Sequence, residues 1–396
     1  MQINSEQQYS KQQDLIQLCY QKYQPFQSED NFHTFKVNNT DFRLEKKYKF
    51  VEFKDFSTCI AVDQENGQKV EIKQLAINKI FDTEGRDLFK SIARGIKIQN
   101  HFQHENIRSN LYITMDTENF YIVKEFVWAN MDRIIRSNQE LSDDHIQYFS
   151  FQILRALFYL HSQNICLPEI TPKSILVTQT CDLKLDFFYF RCIPSTDDCY
   201  ISPEAYFDIS LKNYLKNDIW KLGLIIVELM SKKIFTNNEI FFDILGTPLE
   251  EDLLFLKDNI HAYQQVKSQF GKKKQCWQTL FPTANPLLCD LLNKMIVFNP
   301  EKRYSAEDCL KHPYFLDLHE KNSIQFAKEF DHSQLQIGDT EDQILQEIYS
   351  EAGKYYLKKI KIFEVYIIQN ISFKKHQAPY IPLNPNLLFY NLYEDL

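Results

Sequence analysis

The sequence predicts an α+β fold in two parts, with a strand-rich front and a helix-rich back. Residues 43–80 alternate apolar and polar side chains between short breaks, which is typical of antiparallel strands. From Asp143 onward, apolar residues recur at the spacing of an amphipathic helix. The 396 residues are too many for one small domain and fit two lobes of about 300 residues together, plus extensions.

The front part contains the strand signals. Cys59–Val62 and Val70–Leu75 alternate in the manner of paired strands, and Asn66 followed by Gly67 predicts the hairpin turn between them. Residues 87–102 have helical spacing, and Tyr121–Phe126 is again a strand pattern. We therefore expect a small antiparallel sheet with one helix.

The back part contains the helix signals. The strongest is the apolar series that begins at Ile146 and continues to Leu160. Ser142 and Ser305 stand where N-cap residues are preferred, directly before helical patterns. Further helices are predicted at Asp218–Met230, Leu287–Val297 and Ala306–Leu310.

Composition excludes several classes of protein. The net charge is −8 and the basic residues do not form a long block, so a nucleic acid is not an expected partner. The nine cysteines include no CxxC pair, which favours reduced thiols in an intracellular protein over a disulfide framework or a zinc site. The start of the chain lacks the apolar core of a signal peptide, and Leu222–Met230 is too short to span a membrane. We expect a cytoplasmic protein, either free or within a large assembly such as a cytoskeletal one.

A series of motifs then narrows the fold. HENI at 104–107, LSDDHIQYFSFQILRALFYLHSQNI at 141–165 and DIWKLG at 218–223 occur in order, followed by ILGTP, WQTLFPTANP, DLLNKMIVFNPEKR and HPYF. Together they make the chain resemble the mitogen-activated protein kinases. The resemblance implies a bilobal protein kinase fold with the insert of that group at 249–286. It divides the chain into a polar arm, an N-lobe, a C-lobe, a C-terminal extension and an aromatic tail, at 1–42, 43–127, 128–321, 322–361 and 362–396.

The phosphate-binding elements of the family are only partly retained. The three positions that match the glycines of its phosphate-binding loop carry Val51, Phe53 and Phe56, and side chains of that size oppose a backbone cradle for phosphates. Val70–Lys73 resembles the VAIK strand, so Lys73 matches the phosphate-binding lysine. Its usual glutamate partner on the following helix is replaced by Gly95.

The adenine pocket implied by the resemblance has charged residues at two positions. Glu71 replaces the alanine that packs on adenine, and Lys124 stands at the gatekeeper position. A lone buried charge is costly, so the two must pair or remain hydrated. We expect either a Glu71–Lys124 contact that fills the pocket, or a strand twist that lets one of them reach solvent. Leu176 completes the pocket, which we expect to be occluded.

The catalytic loop and metal site also depart from the family. Glu169 replaces the catalytic aspartate, and Ser174 replaces a magnesium-binding asparagine. An ungapped comparison places Phe187 at the metal-binding aspartate, whereas a deletion of one residue would bring Asp186 there instead. Neither arrangement is a good magnesium site, so we expect no metal.

The structural residues of the family remain in place. Glu204 and Arg303 match its buried ion pair in the C-lobe. Asp218 matches the residue that holds the backbone of the catalytic loop, with Trp220 beside it. The sequence therefore combines an intact scaffold with an altered site.

From this contrast we predict a catalytically inactive pseudokinase, not an enzyme, that acts as a scaffold or structural subunit. No cofactor is expected, and protein partners would bind the 249–286 insert or the 362–396 tail, with no membrane contact. The alternative is an atypical serine/threonine kinase with Glu169 as base, Lys73 on the phosphates and Asp186 on magnesium. A third hypothesis is a switch that binds ATP without catalysis. Both of these require ATP, and the pseudokinase prediction does not.

Overall fold

The structure is a computed structural model of the chain. It describes residues 32–37, 40–81, 83–115, 118–167, 170–186, 199–207, 214–235, 239–269, 271–319 and 324–352. The predicted aromatic tail at 362–396 lies outside these residues, as does most of the predicted N-terminal arm.

Among the described residues, ten strands form three antiparallel sheets, the largest of which has five strands in the order β3-β4-β5-β7-β6. The Asn66–Gly67 turn joins β4 to β5, with Gly67 at a φ of 69°, a backbone conformation that favours glycine. The strands are β1 (Phe32–Val37), β2 (Thr40–Glu45), β3 (Tyr48–Asp55), β4 (Thr58–Asp63), β5 (Lys69–Ala76), β6 (Asn110–Met115), β7 (Asn119–Glu125), β8 (Ala129–Asn130), β9 (Ile175–Val177) and β10 (Leu183–Leu185).

The two faces of the five-stranded sheet carry different side chains. One face is apolar and packs beneath the β1–β2 hairpin, where Phe42 and Phe53 form an edge-to-face contact with centroids 5.2 Å apart. Side chains alternate along a strand, so Glu71 and Lys73 of β5 share the opposite face. Lys124 of β7 joins them there, because it is the direct cross-strand neighbour of Glu71.

The helices are concentrated in the C-lobe, and α1 is the one α-helix of the N-lobe among the described residues. The α-helices of the two lobes are α1 (Thr83–His101), α2 (Met131–Ile135), α3 (Asp143–His161), α4 (Pro203–Tyr206), α5 (Leu215–Ser231), α6 (Ile260–Lys267), α7 (Trp277–Leu280), α8 (Pro286–Met295), α9 (Ala306–Leu310) and α10 (Leu316–His319). Short 3₁₀ turns occur at Ile77–Phe81, Glu250–Leu256, Pro313–Phe315 and His332–Leu335, and a π-helical turn at Glu239–Ile244.

The C-lobe is built around α3 and α5, whose side chains are largely buried in one continuous apolar core. Both predicted N-caps are present. The Ser142 hydroxyl accepts a hydrogen bond from the backbone N–H of His145, and the Ser305 hydroxyl accepts one from that of Asp308. Each cap satisfies a backbone donor that the first helical turn leaves without an internal partner. The two-lobed α+β fold predicted from the sequence is confirmed.

The C-terminal extension returns to the N-lobe and covers α1. Residues 341–352 are helical, and their apolar side chains, including Ile344 and Ile348, join Phe89 and Ile92 of α1 in one buried cluster. Lys97 of α1 adds an ion pair with Glu347 at 2.6 Å. The extension therefore supports α1 from the side away from the C-lobe core.

The β1–β2 hairpin lies partly in the predicted N-terminal arm. The polar arm was predicted to end at residue 42, but β1 and the first half of β2 lie within it, because Phe35 and Phe42 find apolar partners on the sheet. Within the described residues, no helix combines the length and the apolar character needed to cross a membrane.

Candidate active site in the cleft between the lobes

The cleft between the lobes is lined by charged side chains that hydrogen-bond to one another. Glu71 from β5 and Lys124 from β7 enter it from the sheet. Asp186 enters from the segment that follows β10, and Arg108 from the loop before β6. We call these four residues the cleft network.

Asp186 is the centre of the cleft network. Its Oδ1 accepts a hydrogen bond from Lys124 Nζ at 2.7 Å, and its Oδ2 accepts one from a terminal nitrogen of Arg108 at 2.5 Å. The backbone N–H of Asp186 donates to the carbonyl oxygen of Ser174 at 2.9 Å, which fixes the residue on the C-lobe. Both carboxylate oxygens are thus engaged by cations.

Arg108 is held on several sides. Its backbone N–H donates to the carbonyl oxygen of Leu185 at 2.9 Å, and its guanidinium Nε donates to that of Glu125 at 3.1 Å. The side chain is only 1% exposed, and it also approaches Glu71 Oε1 at 3.5 Å. A guanidinium offers five donors in a rigid plane, which suits a position with several acceptors.

Glu71 has cations on more than one side. Lys54 of β3 donates to Glu71 Oε2 at 3.0 Å, so β3 is tied to β5 on the cleft face of the sheet. Lys124 is the direct cross-strand neighbour of Glu71 on β7, as the predicted Glu71–Lys124 contact requires, and its ammonium donates a hydrogen bond to Asp186. The sequence thus predicts two of the charged residues of the pocket, and the structure adds Asp186 and Arg108 as their partners.

The ionisation of the cleft network follows from burial and from these pairs. Burial acts to raise the pKa of Asp186, but Lys124 and Arg108 outweigh it and hold that pKa well below its usual value. The pKa of Glu71 is lowered in the same way, against its burial, by Arg108 and Lys54. Burial lowers the pKa of Lys124 to about 7, with Asp186 opposing that change and Arg108 adding to it.

The phosphate-binding elements lie on the same face of the sheet. Lys73 is half-buried on β5, two residues from Glu71 and opposite Thr58 and Ile122 on the neighbouring strands. Gly95, at the position of the missing glutamate, is buried in α1. Lys73 is therefore placed on the cleft face of the sheet, where the resemblance requires a phosphate-binding lysine.

The sequence predicted that three bulky residues of the β3–β4 hairpin, Val51, Phe53 and Phe56, occlude the pocket. In the structure they do not fill the cleft. Phe53 packs on the opposite face of the sheet, against Phe35, Phe42 and Phe50, so it does not line the pocket. Val51 and Phe56 are 43% and 63% exposed. The strand alternation that puts Phe53 under the β1–β2 hairpin removes it from the cleft. Leu176 is buried on β9, as expected for a residue of the pocket floor.

The catalytic loop is described in part. Glu169 and Phe187 lie outside the described residues. Ser174 is buried, and its hydroxyl donates to the carbonyl oxygen of Thr171 at 3.0 Å. The hydroxyl is therefore engaged within the turn of the loop. Lys173 is exposed on the surface of the loop.

The described residues do not fit a magnesium ion in this arrangement. Mg²⁺ needs carboxylate oxygens that are available to it, and those of Asp186 already accept hydrogen bonds from Lys124 and Arg108. Within the described ranges, no group of three or more His, Cys, Asp and Glu side chains is placed to hold a metal ion. Asp186 can bind a metal only after its cationic partners release it.

The structural residues predicted from the resemblance surround the lower part of the site. Arg303 donates to both carboxylate oxygens of Glu204, at 2.7 and 2.9 Å, and its guanidinium lies 5.0 Å from the ring centroid of Trp220. Asp218 Oδ2 accepts a hydrogen bond from the backbone N–H of Leu167 at 3.0 Å, just before the catalytic loop. The side chains of the four predicted residues, Glu204, Arg303, Asp218 and Trp220, are all buried.

Comparison with known proteins decides the family. The model of the protein kinase domain matches residues 55–315. Mitogen-activated protein kinase 2 of Pneumocystis carinii is 37% identical over 288 residues, which are 66% of this chain and 80% of that protein. This chain belongs to the mitogen-activated protein kinase family.

Other members of the family give the same result. Mitogen-activated protein kinase PMK11 of Pyricularia oryzae is 35% identical over 324 residues, 74% of this chain and 88% of that protein. Mitogen-activated protein kinase 6 of Arabidopsis thaliana is 33% identical over 321 residues, 74% of this chain and 78% of that protein.

The family relationship corrects the prediction that this kinase is not an enzyme. The relatives at 33–37% identity are named as mitogen-activated protein kinases, and the similarity spans the whole kinase domain. The prediction took the joint replacement of several elements of the site, beside an intact scaffold, as a loss of activity. A nearby group can take over such a role, and Asp186 stands one position from the residue it would replace.

Sequence reasoning missed two residues of the site in this kinase, Arg108 and Lys54. Arg108 directly follows the HENI motif, but nothing in that local sequence marks it as a partner of Asp186. Lys54 lies between two of the glycine positions, and its contact with Glu71 depends on the register of β3 and β5 on either side of β4. Neither pairing can be derived from spacing along the chain.

Proposed function

We propose that this member of the mitogen-activated protein kinase family is an atypical serine/threonine protein kinase that uses ATP. The observation that carries the proposal is the family relationship itself, which covers the kinase domain at 33–37% identity. Lys73 supports it, because the lysine of the VAIK-like strand is retained on the cleft face of β5.

The reaction is the transfer of the terminal phosphoryl group of ATP to a hydroxyl oxygen of a protein substrate. A bond forms between that oxygen and phosphorus, the bond from phosphorus to the oxygen of ADP breaks, and the hydroxyl proton passes to a base. Such reactions depend mainly on positioning and on cations that stabilise phosphate charge. Lys73 is proposed for the second role and Glu169, which the structure does not describe, for the base.

No magnesium ligand is assigned in this proposal. Asp186 is the carboxylate that the sequence offers, and in the structure its two oxygens are bound by Lys124 and Arg108. The proposed activity therefore requires a different arrangement of the cleft, in which Asp186 is no longer held by Lys124 and Arg108.

The test is phosphotransfer by the purified full-length chain from radiolabelled ATP, with magnesium, to a generic basic protein. Lys73→Met should reduce transfer about a hundredfold or more, because loss of one charge that stabilises the transition state costs on the order of 10²–10³ in rate. Lys69→Met is the matched control, since Lys69 is on the same strand but lies 4.5 Å from the ring of Trp128.

The control should keep its transfer rate within about twofold of the unmodified chain. Transfer by the unmodified chain that is no greater than that of Lys73→Met would overturn the proposed activity.

A further inference from the structure

The cleft network closes the place where a nucleotide base would lie against the sheet. Glu71 is the residue of β5 that the base would contact under the proposed function, and Arg108 approaches its carboxylate at 3.5 Å. Arg108 and Lys124 in turn contact Asp186 at 2.5 and 2.7 Å. These are direct contacts between side chains, with no gap between successive partners.

A planar base cannot enter between such partners without separating them. Atoms in van der Waals contact lie roughly 3.5 Å apart, so a ring needs about that distance on each of its faces. The side chains of Arg108, Lys124 and Asp186 are 1%, 4% and 3% exposed. They therefore already fill the part of the cleft that the base would enter.

The carboxylates of the cleft network are matched by basic side chains. Glu71 and Asp186 face Arg108 and Lys124, and Lys54 of β3 adds an ion pair with Glu71 at 3.0 Å. A buried charge without a partner is strongly destabilising, whereas a complete set satisfies its own members. The network therefore does not need a bound ligand to be stable.

The cleft network connects the two lobes. Lys124 belongs to the sheet of the N-lobe, while Asp186 follows β10 and is bonded to Ser174 of the C-lobe. Arg108 is attached to both sides, through the carbonyl oxygens of Leu185 and Glu125. Opening the cleft at this point requires the Lys124–Asp186 ion pair to break.

We propose that the cleft network is an autoinhibitory contact, which must open before the nucleotide binds. The proposal rests on the proposed kinase function and names the regulation of that same site. In the closed state Lys124 and Arg108 hold Asp186, and Glu71 and Lys124 occupy the position of the base. The open state releases the carboxylate of Asp186 and frees the cleft face of β5 for the nucleotide.

The test measures equilibrium binding of radiolabelled ATP to the full-length chain in which Glu71→Ala and Lys124→Met are combined. One anion and one cation are removed together, so the Arg108–Asp186 pair stays matched in charge. The expected result is an ATP affinity at least tenfold higher than that of the unmodified chain.

The matched control combines Glu125→Ala with Lys184→Met. Lys184 and Glu125 form an ion pair of 2.9 Å near the same junction, but their side chains are 22% and 41% exposed and lie outside the cleft network. This control should bind ATP within twofold of the unmodified chain. An equal gain in the control would overturn the proposal, because it would show a general loosening of the lobes.

Folding of each variant is checked by far-ultraviolet circular dichroism. If the double variant does not fold, Lys124→Gln replaces it, since an amide can still donate to Asp186 without the charge, and a gain of about threefold or more is expected. Unchanged affinity in a folded network variant overturns the autoinhibitory contact, whatever the activity of the unmodified chain. Higher affinity without phosphotransfer supports the contact and overturns the proposed kinase function instead.

Discussion

At the scale of single residues, the cleft is governed by charges that the fold has taken out of water. Lys124 and Asp186 are tolerated there because each contacts a partner of opposite charge within 3 Å. Removal of one member of a buried pair typically costs about 3–5 kcal/mol, because the other is left without compensation. The same rule explains the bidentate Glu204–Arg303 pair in the C-lobe.

Lys124 gives the cleft a predictable pH dependence. Its pKa is about 7 in the folded chain and 10.5 in the unfolded chain, so between those values the unfolded chain binds a proton that the folded chain does not. The free energy of unfolding should therefore fall as the pH drops from 10.5 to 7, by at most about 1.4 kcal/mol per pH unit, and level off below 7. Asp186 stays ionised throughout, because its pKa is lowered.

The measurement compares urea unfolding of the unmodified chain and of Lys124→Met at pH 7 and pH 9. The stability of the unmodified chain relative to the variant should be about 2–3 kcal/mol greater at pH 9. Parallel profiles for the two proteins would show that Lys124 does not have the lowered pKa.

At the scale of elements, α1 is positioned by the extension and not by the ion pair usual for its family. Gly95 cannot pair with Lys73, but the helical segment at 341–352 covers the apolar face of α1. Polar contacts flank that face, among them the hydrogen bond of 2.7 Å from Asn100 to Glu351. The sequence of the extension therefore contributes to the shape of the cleft from outside it.

The contribution of the extension can be measured with Ile348→Ala. Ile348 is 1% exposed in the cluster with α1, and truncation of such a side chain costs about 2–5 kcal/mol of unfolding free energy. Gln346→Ala is the control, since it is exposed on the same helical segment and should change stability by less than about 0.5 kcal/mol. Equal effects of the two changes in urea unfolding would contradict the packing of 341–352 on α1.

At the scale of the whole molecule, the two lobes have separate cores. The C-lobe has one continuous apolar core around α3 and α5. The N-lobe has two smaller apolar clusters, one on each side of its sheet. A smaller core gives less stability, so the N-lobe should unfold first and the C-lobe at higher denaturant.

Tryptophan fluorescence separates these two events. Trp220 and Trp277 are fully buried in the C-lobe, and Trp128, the third tryptophan, is already 52% exposed in the folded chain. Fluorescence should therefore follow the C-lobe, while far-ultraviolet circular dichroism follows both lobes and changes at lower urea. Coincident curves for the two signals would show a single cooperative unit instead.

The sequence by itself determined the two-lobed fold, most of its elements and the residues that build the C-lobe. Apolar periodicity predicts α3 and α9, the Asn66–Gly67 turn predicts the β4–β5 hairpin, and the resemblance carried by the ordered motifs implies that Glu204 and Arg303 are partners. The periodicity and the turn are local patterns, and the motifs need only their order along the chain to be recognised. The domain was assigned correctly from them, whereas the absence of enzyme activity, inferred from the joint replacement of catalytic residues, is contradicted by the relatives.

Only the tertiary structure decided how the charges of the cleft are paired. The sequence marks Glu71 and Lys124 as charges in an apolar position, but Asp186 and Arg108 reach them from 62 and 37 residues away along the chain. It also could not place Phe53, which strand register directs under the β1–β2 hairpin and away from the nucleotide. Long-range pairing depends on the register of β5 with β7 and on the approach of the lobes. Both are set by packing of the entire domain, so no local pattern reveals them.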